Sequence, residues 1–132
     1  MFEMITSHYV EVVAILLFGI GLSLLIFHVN LIKKIMGLNI MDTGVYLFLA
    51  SMGYISGGNA PIFGGEEVID ASNYVNPIPA GLVLTGIVVS VSVTAISLAL
   101  TIRLYNEYHT LNLDEIYIKL KEKDAKKLQT TA

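Results

Sequence analysis

The sequence predicts an all-α integral membrane protein of three transmembrane helices, with the N-terminus outside and the C-terminus in the cytoplasm. Three observations carry this reading. Apolar residues make up 55% of the 132-residue chain, and the mean hydropathy is +0.70. They fall in three blocks, at about 10–28, 31–55 and 77–104, each close to the ~20 residues that a helix needs to cross a ~30 Å hydrocarbon core. No lysine or arginine lies between Lys34 and Arg103. The blocks are too long and too continuously apolar for the ~10-residue alternating strands of a membrane barrel.

The first span follows a start that is acidic rather than basic, with Glu3 and Glu11. This pattern is unlike a secretory signal, so no cleavage is expected. Glu11 lies near the outer end of the span, where snorkelling to the interface and a transport role both fit. His8 and His28 flank the same span. They sit at opposite membrane surfaces, whereas bis-histidine haem needs two imidazoles at one depth. His109 falls in the polar tail as a solvated side chain.

The second span contains the one acid placed deep in an apolar block, Asp42. Counting eight residues from Lys34 at ~1.5 Å each puts it roughly 12 Å into the membrane. An aspartate there costs about 2.5 to 3.5 kcal/mol to insert, so it should face protein or water rather than lipid. Asn39 and Tyr46, three residues before and four after, share its helix face and are placed to hydrogen-bond it. Two roles fit Asp42: a proton or cation site, or a protonated strut between helices.

Between spans two and three runs a glycine-rich loop, Ser56 to Gly65, followed by Glu66, Glu67 and Asp70. It lacks the Lys-Ser/Thr ending and strand-to-helix context of a phosphate loop. Pro77 and Pro79 open span three, where proline is tolerated because the first backbone donors are free. Along that span Gly86, Ser90, Thr94, Ser97 and Thr101 form one stripe at helical spacing. Such small and hydroxyl residues serve close helix packing. Alternatively, Thr94 and its neighbours help to solvate an ion or a water chain.

All eight basic residues lie in the turn after span one (Lys33, Lys34) or after span three (Arg103, Lys119, Lys121, Lys123, Lys126, Lys127). The positive-inside rule sets the predicted orientation from this asymmetry. The chain thus divides into a three-helix membrane domain, 1–108, and a cytoplasmic tail, 109–132, in part an amphipathic helix. Asn112 with Glu115 resembles a capping box, and Leu113, Ile116 and Leu120 follow helical spacing. That helix fits an anionic leaflet or a partner subunit. The absence of cysteine excludes disulfides, thiolate chemistry and iron-sulfur ligation. No cofactor or metal, and no nucleic-acid partner, is expected.

The run Tyr74-Val75-Asn76-Pro77-Ile78-Pro79-Ala80-Gly81-Leu82-Val83-Leu84-Thr85-Gly86-Ile87-Val88-Val89 resembles the third span of the C-type subunit of Mrp-type multisubunit cation/proton antiporters. There a Tyr-Val-Asp-Pro-Leu-Pro-Gln-Ala-Leu-Val-Leu-Thr-Ala-Ile-Val-Ile run is typical. Asn59-Ala60-Pro61-Ile62 resembles that family's Gly-Ala-Pro-Pro loop, and Asn30-Leu31 with Met36-Gly37-Leu38 resembles the start of its span two. The likeness covers about residues 10 to 115. The C-type subunit is similar to the K-type subunit of respiratory complex I and to chains in the Mrp-like membrane arms of hydrogenases.

The resemblance implies a non-redox subunit in the cell membrane that lies beside antiporter-like subunits and helps to form a lateral path for H⁺ or Na⁺. The K-type subunit of complex I carries one glutamate in span two and one in span three. The corresponding positions are Asn39 and approximately Val93, so Asp42, one turn from Asn39, is the carboxylate left to serve the path. Asn39, Tyr46 and Thr94 are its supporting polar groups, and Gly86, Ser90 and Ser97 its packing stripe. Two other readings stay open: a spacer that only anchors antiporter subunits, and a small homo-oligomeric transporter.

Overall fold

The computed structural model describes residues 8–62 and 71–131. Glu3, Phe63 to Gly65, Glu66, Glu67 and Asp70, all named above, lie outside the described residues. Four α-helices follow one another: α1 (Tyr9–Phe27), α2 (Leu31–Met52), α3 (Ile78–Tyr108) and α4 (Leu113–Thr131). The first three are long and apolar enough to cross a membrane.

The turn between α1 and α2 is closed by side chains. Asn30 caps α2, its Oδ1 accepting from the Ile32 amide at 3.0 Å, the usual service of asparagine at a helix start. Lys34 reaches back from α2, and its Nζ donates to the Leu25 carbonyl at 2.7 Å. That bond satisfies one of the carbonyls that the end of α1 leaves without an intrahelical donor.

α2 ends at Met52, three residues short of the expected Ile55. Gly53 follows, and a Cβ there would stand 2.9 Å from the Asn76 carbonyl and 3.0 Å from Pro79. The chain therefore leaves the helix where it meets the start of α3. Past it, Asn59 forms a bridge with Tyr74, and Asn76 Oδ1 accepts from the Ile78 amide at 3.1 Å to open α3. α3 outlasts its apolar block: it continues through Asn106 and Glu107 to Tyr108 and stops at His109, a left-handed residue with φ 53°. At ~1.5 Å per residue it is about 46 Å long, more than a bilayer core requires.

α4 is tied to the base of the bundle. The Leu31 amide donates to the Leu111 carbonyl and the Leu113 amide to the Val29 carbonyl, both at 3.0 Å. Asn112 Oδ1 accepts from the Asp114 amide at 3.1 Å, but Glu115 turns away from the expected capping box to accept from the Thr110 hydroxyl. Ile116 is the buried residue of this helix. Lys119 Nζ donates to the Tyr108 carbonyl, and Lys123 pairs with Glu107.

α2 is the shared element, packed antiparallel on α1 and on α3. The α1 contact is a glycine contact. A Cβ on Gly21 would overlap the Met41 amide nitrogen, one on Gly37 would stand 2.9 Å from the Leu25 nitrogen, and one on Gly44 2.7 Å from the Phe18 nitrogen. These are backbone atoms, so the two helices approach as closely as they do only because glycine stands there. Few side chains are buried among the described residues: Ala14 on α1, Thr101 and Tyr108 on α3, and Ile116 on α4.

Candidate ion-translocation site

On its other flank α2 faces α3 through three polar rungs. Tyr46 Oη donates to the Gly86 carbonyl at 2.7 Å. Ser90 Oγ donates to Asp42 Oδ2 at 2.6 Å. Thr94 Oγ1 donates to Asn39 Oδ1 at 2.7 Å. The positions rise as 39, 42, 46 on one helix and fall as 94, 90, 86 on the other, as two antiparallel helices at helical spacing require.

Asn39, Asp42, Tyr46 and Thr94 are thus brought together, though with partners other than those expected. Asn39 and Tyr46 do not bond Asp42; each makes its hydrogen bond to α3, and the Asp42 partner is Ser90. Gly86 serves twice in this arrangement. Its carbonyl accepts from Tyr46, and a Cβ at this position would stand 2.6 Å from Tyr46 Cε1, so the ring comes this close to α3 only over a glycine. Farther along the stripe, the buried Thr101 hydroxyl is satisfied by the Ser97 carbonyl at 2.8 Å.

Asp42 lies at the centre of the 22-residue α2. Ser90 holds one of its oxygens. The other, Oδ1, takes no hydrogen bond from the described residues, and the side chain lines an open groove of about 530 Å³ between α2 and α3. Thr43, Leu47, Ala50 and Ile87 share that lining. Among the described residues no three of His, Cys, Asp and Glu come together as a metal cluster. The site is therefore a single carboxyl group among hydroxyls and an amide, able to accept or release one proton, or to offer oxygen to a cation, from its free side.

The sequence offered Ser90 as a packing residue or as one of the hydroxyls that solvate an ion; its pairing with Asp42 and the place of Thr43 on the groove were not legible. The reciprocal spacing of 39, 42, 46 and 86, 90, 94 was the signal that an antiparallel pairing of spans two and three would have exposed. His8 and Glu11 meet at the start of α1, Nδ1 to Oε2 at 3.4 Å, away from the three rungs.

Residues 9–119 match the family model described as NADH-ubiquinone/plastoquinone oxidoreductase chain 4L. The chain belongs to this family. It is similar to the C1 subunit of the Na(+)/H(+) antiporter of Staphylococcus epidermidis, with 38% identity over 107 residues, 79% of this chain and 90% of that one. The C1 subunit of Staphylococcus saprophyticus is 41% identical over 92 residues, 70% of this chain and 76% of that one. Among solved structures it resembles a chain in the membrane-bound sulfane sulfur reductase, an archaeal respiratory membrane complex. There the identity is 49% and the TM-score 0.70, over 80% of this chain and 94% of that chain. With three span-length apolar helices, this member of the chain 4L family is a membrane protein, and the resemblance to the C-type antiporter subunit and the K-type complex I subunit holds.

Proposed function

We propose that the chain is a non-redox subunit of a multisubunit ion-pumping complex in the cell membrane and contributes Asp42 to the H⁺ or Na⁺ path of an Mrp-type antiporter module. Its partners are the other membrane subunits of that module and the bilayer. The N-terminus faces outside and the C-terminus the cytoplasm, as the charge asymmetry favours. The observation that carries this reading is the state of Asp42: mid-span, bonded by Ser90 through one oxygen, with no hydrogen bond from the described residues to the other and the side chain lining a groove. An unbonded carboxyl oxygen at mid-span supports an ion site over a strut, since it is left for water or an ion to reach.

The names of the relatives support the wider setting, since an antiporter C1 subunit and a respiratory membrane complex are both multisubunit membrane contexts. The test is Asp42→Asn in the complete complex, assayed for ion transport in vesicles. Loss of transport with assembly intact is the expected result. Intact transport with perturbed assembly would instead make the chain a spacer.

A further inference from the structure

We propose that the Glu11 and His8 pair is a second protonatable station, the mouth through which protons reach Asp42 along a groove on one flank of α2. This rests on the reading of Asp42 as an ion site and deepens it by naming H⁺ and its entry. Glu11 stands in the first turn of α1, with its Oε2 3.4 Å from His8 Nδ1. Both side chains line a cavity of about 600 Å³, together with the hydroxyl residues Tyr9, Ser51, Tyr54 and Ser56. No lysine or arginine is in that lining, so no fixed cation competes for the carboxylate.

This cavity and the groove at Asp42 share two residues, Leu47 and Ala50. Thr43, Leu47 and Ala50 are spaced by four and three and therefore form one stripe along α2, while Tyr54, two residues past the end of that helix, joins the lining of the second cavity. The stripe begins beside Asp42, and its last residue, Ala50, lines the same cavity as Glu11. From Asp42 to Ser51 is about 13 Å along the helix, too far for direct transfer. Each cavity has room for several waters at ~30 Å³ apiece, and hydroxyl groups stand at both ends of the apolar stretch formed by Leu47 and Ala50. Water is the carrier this geometry calls for.

The step balances simply. The Glu11 carboxylate takes a proton from hydronium at the surface, leaving water, with His8 beside it as an alternate holder. The proton passes through groove water to Oδ1 of Asp42, and Glu11 returns to the carboxylate. No electron moves. A carboxylate in the first turn of α1 also suits the helix dipole, and the experiment must separate that role from this one.

The complete complex is reconstituted in vesicles, with pH varied only on the side where α1 begins. Glu11→Gln should lower transport several-fold and remove its dependence on pH at that side. Glu11→Asp should restore both, and Asp42→Asn should abolish transport. If Glu11→Gln changes neither rate nor pH profile while Asp42→Asn abolishes transport, the mouth is refuted and the Asp42 reading survives. If Asp42→Asn is silent, both fall. A second measurement serves if Glu11→Gln does not assemble. The chain has no cysteine, so Ala50→Cys can be exposed to a membrane-impermeant thiol reagent from that side and the mass of this subunit read. Modification supports a continuous wet groove. An unmodified Ala50→Cys in a complex that still transports overturns it.

Discussion

A lone carboxyl in a membrane helix is defined by what it bonds and what it leaves free. Ser90 gives Asp42 a hydrogen bond of 2.6 Å, and removing a partner from a half-buried polar group costs about 1 to 3 kcal/mol. Ser90→Ala is expected to slow ion transport and to leave assembly intact, a weaker effect than that of Asp42→Asn. Ser90→Thr, which retains the hydroxyl, should recover most of the rate. Transport in vesicles measures both. The Asn39 and Thr94 rung is neutral at both ends, and by the family resemblance it occupies the neighbourhood where the K-type subunit of complex I places its two glutamates. On the proposed reading, the carboxylate that serves the path is Asp42, one turn from Asn39.

At the level of elements, α1 and α2 are held together by where glycine stands. A Cβ on Gly44 would meet the Phe18 nitrogen at 2.7 Å and the Ala14 carbonyl at 2.8 Å, whereas one on Gly19 would meet nothing within 4 Å. Gly44→Val should force the helices apart, at a cost of about 1 to 3 kcal/mol or more. Gly19→Ala, on the same helix pair, should be neutral. The melting temperature of the complex in detergent compares the two. In the sequence Gly19 and Gly21 have the same standing, because which helix face meets a neighbour depends on the partner's position. At the other end, the hydrogen bond from Lys123 to Glu107 raises the lysine's pKa. Its contribution is present below the ordinary lysine range and is lost as pH rises through the raised value. Both groups are solvent-exposed, so Lys123→Ala should leave the melting temperature unchanged within error.

As a whole, the molecule buries little of what it carries. Leu84 is 67% exposed, Val88 68%, and Ile15 62%, and no large side chain among the described residues is fully buried. Lipid covers part of such a surface, but lipid does not suit the groove beside Asp42. Pulling the tagged chain from mild detergent should therefore recover other membrane subunits, which mass spectrometry identifies. Antiporter subunits alone would make the assembly a stand-alone exchanger. Iron-sulfur or hydrogenase-like subunits would make it the ion-translocating arm of a redox pump, and the chain alone would overturn the assembly.

By itself the sequence determined that this is a three-span helical membrane protein, because span length and the cost of charge in hydrocarbon act on each segment separately. It also singled out Asp42, since a deep acid stands out against any apolar background. The tertiary structure alone decided what Asp42 touches. Ser90 lies 48 positions away, and the antiparallel register that brings the two together is set by the packing of α2 on α3, with the Tyr46 ring seated on Gly86. It likewise decided that α2 stops at Met52 and that α3 runs on to Tyr108. Helix ends there follow from close contacts and capping bonds between distant residues, which hydropathy does not record.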